Sequence, residues 1–253
     1  MEKTVIIDCF PESIQRYMSG CAVILIDVIR ATTTAVTAVA AGRRCFPVAS
    51  VDDALATAAR LQRPLLVGEM GGNMPYGFDL TNSPAEIARR RDVNRPIVLL
   101  SSSGTQLVDN ARGCDAAFLA CFRNVHATAE YMIGRYDRVA VIGAGTRMEF
   151  REEDKICCAW IAQKLVQAGY LAQDPQTVRV IEEWGGVSAA ACYVSKSVGY
   201  LRKTGQFSDL QFILKHVDDL PYVYMVVNGE ILEIPVTHLE PEFIASHAKL
   251  SEM

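Results

Sequence analysis

The 253-residue chain predicts an α/β fold of three layers, α/β/α, with a mostly parallel central sheet and a C-terminal antiparallel hairpin. Three observations predict it. Short continuous apolar runs rich in β-branched residues alternate with helical patterns, as strands buried on both faces of a parallel sheet require. After Phe150 the chain changes to longer stretches with 3.6-residue periodicity. Asn228-Gly229 then separates two β-rich runs, and both residues tolerate the positive φ of a type I′ turn.

By run length and composition, strands are expected at Val5–Cys9, Cys21–Asp27, Arg44–Val48, Pro64–Gly68, Pro96–Ser101, Ala116–Cys121 and Arg138–Gly143. Helices fill most of the gaps. Ser50 starts one, with Asp53 following in capping-box fashion. Ser83-Pro84-Ala85-Glu86 starts another, Ser as N-cap and Pro at the first helical position. Later helices are expected over Glu152–Ala168, Val187–Leu201 and Ser208–Lys215, and the hairpin over Tyr222–Val227 and Glu230–Ile234.

Half of the residues are hydrophobic and 21% are charged, the balance of a self-folding globular chain. No Pro/Gly/Ser-rich or charge-run linker divides it, so a single domain over residues 1–253 is expected. The formal net charge is −4 and the Lys and Arg residues are scattered, which argues against nucleic acid as a partner. Glu2 interrupts the N-terminus too early for a signal segment, and no apolar run reaches membrane-spanning length, so a cytoplasmic protein without membrane contact is expected. A homo-oligomer is compatible with this composition. The eight cysteines form no C-x-x-C pair and are expected as reduced, buried thiols rather than a disulfide framework or a zinc site.

In open α/β sheets, ligands bind beyond the C-terminal strand ends, so polar residues just after the apolar runs are the candidates for chemistry. After the second run stand Asp27, Arg30, Thr32, Thr33 and Thr34. Asp27 suits either a metal or a helix cap, and Arg30 with the threonines suits either a phosphate or solvent. After Gly68, a long glycine-bearing loop carries Glu69, Asp79 and Asn82; loops of this length in a compact domain are usually functional. Ser101, Ser102, Ser103, Gly104 and Thr105 form a turn able to present amides and hydroxyls to an oxyanion, although Ser and Gly are also ordinary cap residues. The fourth cluster, after Gly143, carries Arg147, Glu153 and Asp154 and lacks a full dinucleotide fingerprint. His126, His216, His238 and His247 have no ligand spacing, and no nucleophile-elbow motif accompanies the serines. Carboxylates and oxyanion binders at four strand ends are together what metal-assisted attack on a phosphate ester requires.

At these residues the sequence resembles the 2-phosphosulfolactate phosphatase family. The resemblance rests on Ile26 to Thr34, on Gly68-Glu69 with Gly77 to Pro84, on Ser103-Gly104-Thr105 and on Gly145 to Asp154, and extends to Pro235-Val236. It implies a three-layer α/β/α fold, a requirement for Mg2+, and hydrolysis of 2-phosphosulfolactate, a small phosphorylated acid of coenzyme M biosynthesis, to sulfolactate and phosphate. The chain departs from that family at Thr81, where the family has glycine, and at Ser101 to Thr105, where it has Thr-Thr-Asn-Gly-Thr. These departures bear on the substrate more than on the phosphatase chemistry.

From the strand-end clusters Asp27, Glu69 and Asp79 are expected to bind magnesium, with Asp27 and Arg30 also counted as catalytic. Arg30, Thr32, Thr33, Asn82, Arg147 and the Ser102–Thr105 turn are expected to hold the substrate, and Glu153 or Asp154 to position the attacking water. A haloacid-dehalogenase-like phosphatase is a rival, but Asp27 is followed two residues on by Ile29 where that chemistry needs a second acid. A non-catalytic metabolite-binding module that keeps the oxyanion turns is the other rival.

Overall fold

A computed structural model describes residues 2–145 and 149–236. The predicted strands all form: β1 (Thr4–Cys9), β2 (Ala22–Ile26), β3 (Cys45–Val48), β4 (Leu65–Gly68), β5 (Ile97–Leu100), β6 (Ala116–Ala120) and β7 (Arg138–Gly143). A short β8 (Leu171–Ala172) follows, then the hairpin β9 (Tyr222–Val227) and β10 (Glu230–Pro235). Asn228 and Gly229 take φ of 50° and 80°, as a type I′ turn demands.

All ten strands lie in one sheet of order β4-β5-β3-β10-β9-β6-β2-β7-β1-β8. Every pairing is parallel except those of the hairpin, which is inserted between β3 and β6 and so joins two parallel halves. The apolar runs alternate between two cores. Val23 and Leu25 of β2, with Ile97 and Leu99 of β5, face α1 (Ala31–Ala40) and α4 (Gly104–Asn110). On the opposite face, Ala22, Ile24 and Ile26 pack with α5 (Val125–Met132) and α6 (Glu152–Gln167), while Val98 and Leu100 pack near α2 (Val51–Ala58). Helices on both faces make the three layers.

In a flat sheet, the five strand steps from β2 to β5 would separate their ends by roughly 24 Å. Gly104, just after β5, instead abuts Asp27, just after β2. The sheet therefore curls around α1, which packs on β3, β5, β6 and β10 alike.

Ser50 and Ser83 cap as expected, accepting the Asp53 and Glu86 amides, and start α2 and α3 (Pro84–Arg89). Two helical details differ from expectation. The stretch Val187–Leu201 is broken: a 3-10 turn at Ala189–Val194 ends at Ser195, whose extended backbone and side chain cap α8 (Lys196–Lys203). An unforeseen α7 (Pro175–Trp184) begins at Asp174, and its Thr177 hydroxyl accepts the Ile7 amide of β1 at 2.9 Å. The last helix is α9 (Phe207–Lys215). All eight cysteines are free thiols. Among the described residues no helix is long and apolar enough to cross a membrane.

Candidate active site

A cleft of about 520 Å³ opens beyond the C-terminal ends of β2, β4 and β5. Asp27 lies at its floor, where the chain turns from β2 into α1. The turn is closed by hydroxyls: Thr32 Oγ1 donates to the Asp27 carbonyl at 2.8 Å and accepts the Asp27 amide at 3.1 Å, and Thr33 donates to the Val28 carbonyl. Thr32 and Thr33, expected to bind substrate, thus give their hydroxyls to the backbone and are not among the residues lining the cleft. The Asp27 carboxylate accepts the Ala31 amide at 3.3 Å. Burial pushes its pKa up to about 7; the Ala31 hydrogen bond opposes this, while the charges of Glu69 and Glu153 add to it.

Glu69 is the hub of the second wall. Its Oε1 accepts the Ser102 amide at 2.7 Å and the Ser101 hydroxyl at 3.2 Å; its Oε2 accepts the Gly72 amide at 2.7 Å and the Ser102 hydroxyl at 2.9 Å. Gly71 and Gly72 have φ of 62° and 88°, left-handed conformations that glycine adopts without steric cost and that aim their amides at Ser102 Oγ and Glu69. One carboxylate thus fixes both the glycine loop and the serine turn. Ser101, Ser102 and Ser103 line the cleft, whereas Thr105 Oγ1 is tied to the Ser101 backbone and Gly104 packs against Asp27. Asn82 lines it as well, and its buried Oδ1 has no hydrogen-bond partner among the described residues.

Arg30 enters from the start of α1. Its Nη1 pairs with Asp209 Oδ2 of α9 at 2.6 Å and with Gln206, the pair's side chains being only 5% and 1% exposed. Asp209 also accepts the Ser83 hydroxyl and the Ala85 amide, so one buried acid sets Arg30 against α3. The remaining wall carries Glu149, Arg151 and the α8 residues Lys196, Ser197, Tyr200 and Leu201. Tyr200 donates to the Gly72 carbonyl and bridges α8 to the glycine loop.

Three of the expected acids also lie off the cleft lining. Asp79 is exposed, and its carboxylate accepts the Leu66 amide within β4, so it does not join Asp27 and Glu69. Asp154 is buried beneath Asp27, accepting the Val28 amide at 2.8 Å, and Glu153 is buried beside it; neither lines the cleft. Burial raises both pKa values; the Asp27 and Glu153 charges push Asp154 further up, while hydrogen bonds from Ser197 and Ser195 pull Glu153 back. Arg147, His238 and His247 lie outside the described residues. Among those described, no three or more His, Cys, Asp or Glu side chains are grouped to hold a metal; the carboxylates lining the cleft are Asp27, Glu69 and Glu149.

Reasoning from strand ends did not find Asp209, Lys196, Ser197 or Tyr200, because all four come from helices late in the chain. The spacing of Lys196, Ser197, Tyr200 and Leu201 marks a single helix face, but sequence alone does not say what that face meets.

The 2-phosphosulpholactate phosphatase family model matches residues 9–229. A "Probable 2-phosphosulfolactate phosphatase" of Thermotoga petrophila is 34% identical over 143 residues, 56% of this chain and 61% of that relative. A protein of the same name from Carboxydothermus hydrogenoformans is 33% identical over 159 residues, 62% of this chain and 66% of its own. One from Clostridium perfringens strain SM101 is 27% identical over 222 residues, 85% of this chain and 89% of its own. The matched part thus spans about three fifths of the Thermotoga relative's length. With a family model covering most of its length, this chain belongs to the 2-phosphosulfolactate phosphatase family.

Proposed function

We propose that the chain is a magnesium-dependent phosphatase acting on the phosphate ester of a small acidic metabolite, converting 2-phosphosulfolactate to sulfolactate and phosphate. The observation that carries this reading is the meeting of Asp27, Glu69, Arg30 and the Ser101–Ser103 turn in one cleft. The relatives' names point the same way.

The donor set fits magnesium. That ion is usually held by one or two carboxylates together with waters and substrate phosphate, not by an all-protein cage. Asp27 would hold it with Asn82 Oδ1, which has no partner among the described residues, and Glu69 would join by exchanging a serine hydroxyl's hydrogen bond for the ion. When bound, magnesium supplies Lewis acidity toward the phosphoryl oxygens. The chain's own groups do the rest. Arg30, held rigid by Asp209, presents its guanidinium to a phosphoryl oxygen, while the Ser101 and Ser102 hydroxyls and the Ser102 amide donate to Glu69 and hold that carboxylate at the cleft. Such pre-ordered donors need no reorganisation as charge moves on the transferring group.

The test is phosphate release by purified protein from a panel of phosphorylated small acids, with magnesium and with EDTA. Magnesium-dependent release favouring 2-phosphosulfolactate is expected, and Asp27→Asn should reduce it by about a hundredfold or more. Release that ignores EDTA, or that survives Asp27→Asn, would sink the assignment. No release from any compound would instead favour a binding module.

A further inference from the structure

The cations of the cleft fall into two sets. Arg30 is buried against Asp209 at the phosphoryl end. Arg151 and Lys196 stand on the wall formed by α8 and the start of α6, and both hold a single carboxylate, that of Glu149. Lys196 Nζ bonds its Oε1, and Arg151 Nη1 bonds its Oε2 at 2.7 Å. Glu149 and Lys196 are 44% and 70% exposed, whereas Arg151 is 11% exposed. The carboxylate is therefore gripped by two cations, one per oxygen, while it stays open to the cleft.

That is how a small molecule's carboxylate or sulfonate would be gripped, since both present coplanar or splayed oxygens to paired donors. An internal carboxylate in such a place is a stand-in for a ligand group.

We propose that Lys196 and Arg151 are the receptor for the substrate's second acidic group, a carboxylate or sulfonate, and that Glu149 occupies this receptor until substrate displaces it. The proposal rests on the phosphatase reading for the first anionic group only. It assigns specificity to a wall that takes no part in phosphoryl transfer: Arg30 holds the phosphate, and the Lys196 wall selects esters that carry a further acid.

Two measurements test it. Steady-state kinetics compares 2-phosphosulfolactate with glycerol 2-phosphate, which lacks the second acid. Lys196→Ala should lower the ratio of kcat/KM for the two substrates by about tenfold or more, the effect of one charge-assisted hydrogen bond. Glu149→Gln should raise that ratio by removing the competing anion. Calorimetric titration with sulfolactate, which has no phosphate, reads the receptor without turnover, and Lys196→Ala should weaken this binding by a similar factor. If Lys196→Ala leaves sulfolactate binding and the ratio unchanged, or if Glu149→Gln lowers the ratio as Lys196→Ala does, the receptor is wrong. If wild-type protein releases no phosphate but its sulfolactate binding still depends on Lys196, the receptor stands and the phosphatase reading falls.

Discussion

Gly104 joins the two walls of the site. Its backbone does not need glycine for a left-handed turn; it needs glycine for space. A Cβ there would come within 2.3 Å of Asp27 Oδ2 and 2.4 Å of Ala31 Cβ, closer than atoms pack. Neither neighbour is a flexible side-chain end, because Asp27 is tied to the Ala31 amide and Ala31 is the first residue of α1. Gly104→Ala should therefore cost about 1–3 kcal/mol in stability and lose most phosphate release, read from denaturant midpoints and a phosphate assay. A variant with full stability and full activity would show that the contact is not tight. Asp27, Glu69 and Ser101 to Ser103 were legible in the sequence because each follows an apolar run, and strand ends are where ligands bind. What each residue does was less legible. Thr32, Thr33 and Thr105 look like phosphate binders in sequence, yet each hydroxyl closes a backbone turn, a use that only hydrogen-bond geometry separates from the other. Asp209 was illegible for a different reason: its partner Arg30 lies 179 residues away, and no local pattern encodes that pairing.

The elements that carry these residues are held by a few buried polar ties. The clearest is at the end of α1. Arg43, fully buried, sends Nη2 to Asp92 Oδ1 at 2.7 Å and Nη1 to the carbonyls of Asp92 and Arg95, and so fastens the turn between α1 and β3 to the chain entering β5. Hydrogen bonds from Arg90 first, and then from Arg43, hold the Asp92 carboxyl well below the ordinary 3.8 of an aspartate. For an acid depressed in the folded state, the stabilisation is present above the ordinary value and is lost as pH falls through and below it. Asp92→Asn should thus destabilise the protein by about 1–3 kcal/mol at pH 7, with the gap from wild type narrowing below pH 4. Thermal melts at pH 7 and pH 3.5 check this, and a gap that stays constant or widens in acid would refute it. Helix starts with a local chemical cause were legible, Ser50 and Ser83 among them. The start of α7 at Asp174-Pro175 carries the same signature as Ser83-Pro84 and went unrecognised, and the break at Ser195 was hidden because periodicity runs on across it.

At the scale of the molecule, the decisive feature is where the hairpin goes. Asn228-Gly229 announces a hairpin, but nothing in the local sequence says that β9 and β10 will sit between β6 and β3, in the middle of the sheet. Sheet order depends on contacts far apart in the chain, which periodicity does not encode. The insertion makes the last strands a keystone: β10 meets β3 through a single pairing, Ile231 with Cys45, while β9 meets β6 at Phe118 and Leu119. Ile231 is 1% exposed and lies in the core that also holds Val36 of α1 and Leu99 of β5. Ile231→Ala should cost about 2–4 kcal/mol, the loss of a buried aliphatic group plus the cavity it leaves. The thin β3–β10 seam suggests that this change would let the two parallel halves unfold separately. Packing argues the opposite, because α1 rests on β3 and β5 from one half and on β6 and β10 beyond it, and the two halves share that core. The variant should still unfold in one transition at a lower denaturant midpoint, with far-UV circular dichroism and the fluorescence of Trp160 and Trp184 changing together. Both tryptophans, Trp160 in α6 and Trp184 at the end of α7, pack against the opposite core. If fluorescence and circular dichroism separate, the seam and not the α1 core governs cooperativity, and the curled sheet behaves as two units.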